Sequence, residues 1–366
     1  MSSPPFAVSA RSRSITRRRP DLGAATYAER VVDAIPDAEC DYAPHEPLDL
    51  GATLGYLRRG RGDPTLQTAD GPDAWREVWR AQRTPEGVAT LRLRVGSGSP
   101  AAANRVFIAA WGSGAEWSVA NAPELLGEGD DWSALDDVLA AVLAGPSVVS
   151  GETPNPAMAL QRIRHRRRGL RLTRSSLVLE AAVPAVLEQK VTGVEARRAW
   201  RHLVRQHGEA APGPAPEGLT VMPDAVGWRS IPDHDWHRAG VGPQRMATIR
   251  RVAAVALAID RTLQLGRGGP QATAALCSIP GVGEWTAAEI LQRSHGDPDA
   301  VSVGDAHLPH VIGTWFTGDR TDDAGMLALL KPYAGHRQRV VRLITSIGVE
   351  APRFGAKATI EDHRGR

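Results

Sequence analysis

Residues 276 to 290 read LCSIPGVGEWTAAEI, two apolar helical runs with only a proline-glycine corner between them. Leu276 and Ile279 precede the corner, Pro280, Gly281, Val282 and Gly283 form it, and Trp285, Ala287, Ala288 and Ile290 follow. Proline fixes the entry angle and glycine frees the backbone, so one helix must turn into the next almost without a loop. A helix N-terminus leaves N–H groups unpaired and carries partial positive charge, and glycines beside it let an anion reach the main chain. Such a corner suits holding a nucleic-acid backbone without reading its sequence. A tight turn that binds nothing has the same spelling.

The pattern around the corner predicts an α+β fold that is mostly α, in two domains, as 366 residues with 42% hydrophobic content allow. AWREVWRAQ (74 to 82), ATLRLRVG (89 to 96) and NRVFIAAWG (104 to 112) read as strands, with TPEG (84 to 87) as a hairpin turn. With the helical run 130 to 145 they make an antiparallel sheet-plus-helix domain over 44–148. Helical periodicity fills 154–350, at 157 to 167, 175 to 189, 194 to 207, 242 to 264, 270 to 278, 284 to 294, 305 to 315, 323 to 331 and 336 to 347. Residues 1–43 read as a disordered basic arm and 351–366 as a tail.

Several classes are excluded. No run of 18 apolar residues exists, so no helix spans a membrane. Arg11, Arg13, Arg17, Arg18 and Arg19 have no apolar stretch behind them, which rules out a secretory signal; a transit peptide shares that composition. Cys40 and Cys277 are the only cysteines, which points to a reducing compartment and cannot supply a four-thiolate iron-sulfur cluster. Of 44 basic residues only Lys190, Lys331 and Lys357 are lysine, so few amine nucleophiles exist. The run QRIRHRRRGLRLTR (161 to 174) is a solvated face or a phosphate contact.

Twenty-two residues past Gly283, Asp305 follows Val303-Gly304 and precedes the periodic HLPHVIGTWF. An aspartate there can cap the helix that follows, or present a carboxylate to a substrate. With the hairpin, this arrangement resembles the helix-hairpin-helix DNA glycosylase superfamily, and IPGVGEWTAAEI with AVLEQKVTGVEARRAW (185 to 200) is most similar to its 3-methyladenine DNA glycosylase II branch. The resemblance implies an all-helical glycosylase domain behind the sheet domain. It implies a DNA repair enzyme that hydrolyses the N-glycosidic bond of alkylated purines (3-methyladenine, 7-methylguanine) or deaminated purines in double-stranded DNA. Asp305 is then the catalytic carboxylate, facing the cation that forms on the sugar as the base leaves. Pro280, Gly281, Val282 and Gly283 hold the DNA backbone. Trp285, Glu289 and His336 line the base pocket, where an aromatic face attracts a cationic purine. Gln189, Lys190 and Val191 form the wedge or a DNA contact. Glu289 and His336 stand where relatives carry aromatic residues, which makes the pocket more polar.

Relatives that also cut the strand carry a lysine where this chain has Trp285, so a monofunctional hydrolase is expected. No metal or organic cofactor is expected beyond a monovalent cation at the hairpin carbonyls. The protein is expected to be a cytoplasmic, nucleoid-associated bacterial monomer. Two alternatives stay open: a glycosylase for oxidised or mismatched bases, and a helix-hairpin-helix DNA-binding protein without catalysis.

Overall fold

Alternation at β4 (Gly87–Val95) sets one face of the N-terminal sheet: Ala89, Leu91 and Leu93 are fully buried while Arg94 is exposed. The structure is a computed structural model and describes residues 35–69, 74–96, 105–144 and 155–349. β4 pairs with β3 (Glu77–Thr84) through a tight turn that sets Thr84 opposite Gly87, as TPEG predicts. β5 (Val106–Trp111) lies on its other side, and the antiparallel order is β1-β5-β4-β3-β2, with β2 at Leu66–Thr68.

The edge strand β1 (Ala38–Tyr42) corrects the expected arm, which was drawn to residue 43. Five residues are too few to show a period, yet the segment pairs in register with β5, Cys40 opposite Ile108. Residues 1–34, the 351–366 tail and the linker at 151–154 lie outside the described residues. α1 (Leu50–Leu54) and α2 (Ala115–Leu125) cover the apolar face, Leu54 and Ala122 meeting Leu91 and Ile108. Neither helix was anticipated: α1 is a single turn capped by Asp49, and α2 carries an internal Pro123.

The remaining helices are α3 (Ser133–Ala144), α4 (Pro156–Arg166), α5 (Val178–Leu187), α6 (Gly193–His207), α7 (Ala225–Ser230), α8 (Asp233–Arg238), α9 (Pro243–Ala254), α10 (Ala256–Asp260), α11 (Pro270–Cys277), α12 (Glu284–Ser294), α13 (Leu308–Thr317), α14 (Asp323–Leu330) and α15 (Arg337–Ser346). A two-residue strand pair, β6 (Glu209–Ala210) with β7 (Thr220–Val221), interrupts the helices and docks beside β3. α5 is buried almost all round, as a helix apolar on every side must be, and α12, α9 and α6 pack against it. Ala182 of α5, Leu276 of α11 and Ala287 and Ile290 of α12 share one core. A second core joins α3, α4, α13, α14 and α15 through Leu139, Leu160, Ile312, Leu330 and Leu343. Sheet and helices form one compact unit from Pro36 onward, tied by Arg339–Asp130 at 2.6 Å and Arg59–Glu188 at 2.9 Å.

His295 caps α12 in a fully buried position between Thr262 Oγ1 at 3.1 Å and Ser294 Oγ at 2.8 Å. Burial pushes its pKa from the ordinary 6.5 down to about 4. Between those values the unfolded chain binds a proton that the native state refuses, so this contribution is present above pH 6.5 and is lost as the pH falls toward 4. Urea unfolding of the protein and of His295→Gln should give a stability difference that shrinks across that window.

Candidate active site

The hairpin divides its residues by burial. Ile279 and Val282 are buried anchors, while Pro280, Gly281 and Gly283 face solvent. Val282 N–H donates to Ile279 O at 2.9 Å and closes the turn. Gly281 sits at φ +98°, and a Cβ there would collide with Thr248 Oγ1 of α9. Gly283 has open space around it, and no side chain caps α12. The first N–H groups of α12 are thus left for an anion from outside.

Two neighbours brace this corner. Gln189 Nε2 donates to Gly281 O at 2.9 Å and to Thr286 Oγ1 at 2.8 Å, and Arg251 donates to Pro280 O at 3.2 Å. Gln189 therefore binds the hairpin itself. Lys190, next to it, is exposed in the left-handed region at φ +54°, and Val191 is half-buried. The segment proposed to touch DNA lies directly against the segment proposed to grip it.

Asp305 divides its two oxygens between two sets of partners. Its Oδ1 accepts from His307 N and Leu308 N, each at 2.8 Å, from two residues ahead of the His307 N-cap of α13. Its Oδ2 accepts from Trp285 Nε1 at 3.2 Å. Asp305 is half-buried, and so is Trp285, which therefore stands outside the core. Trp228 and Trp236 are core residues, their rings tilted at 36° to each other with 5.9 Å between centroids. Through Trp285 the carboxylate is tied to α12, the helix that begins at the hairpin.

The loop before Asp305 is fastened along its length. Asp297 Oδ1 accepts from Asp299 N at 2.8 Å and Ala300 N at 3.0 Å; Asp299 pairs with Arg337 at 2.6 Å; Gly304 N donates to Asp323 Oδ1 at 3.0 Å. Glu289 is buried, with Oε1 accepting from Ser302 Oγ at 2.5 Å and Oε2 from Arg293 at 2.7 Å. Both oxygens face this internal network, one turn from Trp285. His336 accepts from Arg339 Nη1 at 2.7 Å. Burial, reinforced by that guanidinium, holds its pKa below the usual histidine value, so it is neutral near pH 7.

Sequence reasoning missed Tyr56, Gln292 and Ser302, which meet in this network although Tyr56 and Gln292 are 236 positions apart. It also missed Arg198, Arg201, His202 and Arg205, which line an open groove on α6. Of the run 161 to 174, Arg171 and Arg174 pair with Glu46 and Glu124, and Arg164 with Asp136; Arg166, Arg167 and Arg168 are exposed.

No family profile matches the chain. The probable bifunctional transcriptional activator/DNA repair enzyme AlkA of Mycobacterium tuberculosis (strain H37Rv) is 32% identical over 142 residues, 38% of this chain and 28% of that protein. The chain thus aligns with under a third of its curated relative. The fold is similar to 3-methyladenine DNA-glycosylase from Archaeoglobus fulgidus, with a TM-score of 0.62 and 13% identity over 84% of this chain and 97% of that one. It is similar also to Clostridium acetobutylicum 8-oxoguanine glycosylase/lyase, with a TM-score of 0.58 and 11% identity over 85% and 97%. The same enzyme in complex with double-stranded DNA containing cytosine opposite 8-oxoG gives a TM-score of 0.56, 11% identity, 85% and 98%. The chain shares the helix-hairpin-helix DNA glycosylase fold.

Two substitutions separate the roles of the glycines. Gly281→Ala should destabilise the protein by ~1–3 kcal/mol in thermal unfolding, because the residue is strained and collides with Thr248. Gly283→Ala should leave the melting temperature unchanged, and should weaken binding of any phosphate the corner holds, since its methyl group would occupy that open space.

Proposed function

We propose that this chain, built on the fold of the helix-hairpin-helix DNA glycosylases, is a monofunctional glycosylase that releases alkylated or deaminated purines from duplex DNA in base excision repair. The observation that carries the reading is the seat of Asp305: one oxygen accepts the N–H groups that open α13, and the other meets the indole of Trp285 on the helix that starts at the exposed glycine corner. A strand held at Gly281–Gly283 through its phosphate places an extruded nucleotide beside that carboxylate.

Chemistry follows from charge. As the C1′–N bond breaks, the base leaves with the bonding electrons and the sugar becomes cationic. A fixed carboxylate stabilises that cation, and water then attacks C1′. The indole face of Trp285 offers stacking to a cationic purine such as 3-methyladenine or 7-methylguanine. Lys190 and Val191, on the loop braced through Gln189, enter the duplex or contact a phosphate. The carbonyls of Pro280 and Gly281, which accept from Arg251 and Gln189 and keep a second lone pair each, would be the ligands of a monovalent cation, and such an ion would supply positive charge toward a phosphate. A polar pocket at Glu289 and His336 would favour oxidised bases. With the oxygens of Glu289 given to Ser302 and Arg293, alkylated purines are the better supported substrate class.

The test is release of free bases from randomly alkylated DNA, identified by mass. Asp305→Asn should lower release by ~100-fold or more while duplex affinity stays within a few-fold. Unchanged release would remove Asp305 from catalysis. The products should carry abasic sites without strand cuts.

A further inference from the structure

We infer that Tyr56, contributed by the sheet side of the molecule, is a positioning residue for Asp305; the inference rests on the catalytic reading of that carboxylate. Tyr56 follows α1, and its ring is clamped between two guanidiniums, Arg293 at 4.1 Å and Arg342 at 4.2 Å from the centroid. Arg342 is fixed in turn by Ala52 O at 2.8 Å, and Arg293 donates to Tyr56 O at 3.3 Å. The ring has little freedom to move.

Its hydroxyl donates to Gln292 Oε1. An amide has one acceptor end and one donor end, so this bond decides which way Gln292 faces. Nε2 is left to donate to Ala300 O and Ser302 Oγ, each at 3.0 Å. Ser302 Oγ accepts that bond and gives its own proton to Glu289 Oε1 at 2.5 Å. Each proton is used once along the path. The carbonyl of Ser302 then accepts from Asp305 N at 3.3 Å. Gln292, Ser302 and Glu289 are all buried, where an unmatched polar atom is costly.

Without the phenol proton, Gln292 Oε1 loses its donor. Turning the amide over would set an oxygen against Ala300 O, acceptor against acceptor. The loop from 300 to 302 would loosen, and Asp305 would lose its fixed distance from Trp285. The sheet side thereby orients the carboxylate, beyond any contribution to stability.

Tyr56→Phe keeps the ring between the guanidiniums and removes only the proton. In the full chain, single-turnover base release should fall ~10- to 100-fold, as an ångström-scale misplacement can cause, while duplex affinity stays within twofold. In the DNA-free protein, amide exchange should quicken at residues 300 to 305 and stay unchanged at 280 to 284. Unchanged exchange at 300 to 305 would overturn the inference, as would exchange quickened throughout the chain with matching loss of duplex affinity. Should Asp305→Asn leave base release intact, the catalytic reading fails separately, and the exchange measurement still judges whether Tyr56 orders the loop.

Discussion

The bond from Trp285 Nε1 to Asp305 Oδ2 joins two halves of a site that sequence alone leaves apart. One half is a glycine corner with free N–H groups, suited to an anion. The other is a carboxylate, suited to a cation. Nucleic acid that is losing a base presents both charges, a phosphate and a sugar cation, within one nucleotide. Side chains from several helices and loops brace those two halves.

The bracing comes from several directions. Thr248 and Arg251 of α9 bear on the hairpin, and Gln189 crosses from the end of α5 to the same turn. Asp297, Asp299 and Asp323 bind the loop that ends in Asp305. Asp297 and Asp299 do that work by accepting backbone N–H groups, an arrangement that leaves little slack in the loop.

The hairpin, Asp305 and the long helices were legible because each has a local signature: a proline-glycine corner, an aspartate ahead of an apolar period, a stripe at helical spacing. The sheet was legible where its strands alternate, at β3 and β4. β1 and β2 were not, since strands of five and three residues are too short for alternation to stand out. The network from Tyr56 to Ser302 was invisible for a different reason. Its members are ordinary polar residues from distant segments, and only folding gives them a common purpose. Glu289 shows the same limit in reverse: its position on α12 suggested a pocket wall, but the buried guanidinium of Arg293 one turn later claims its charge.

The central claim is that the charge of Asp305 faces a sugar cation. It is tested most directly by duplex affinity for two abasic analogues of equal shape, a neutral tetrahydrofuran and a cationic pyrrolidine. The protein should bind the cationic analogue at least ~10-fold more tightly, as a charge interaction of ~1.4 kcal/mol requires, and Asp305→Asn should abolish that preference. Equal affinity of the unaltered protein for both analogues would contradict the account.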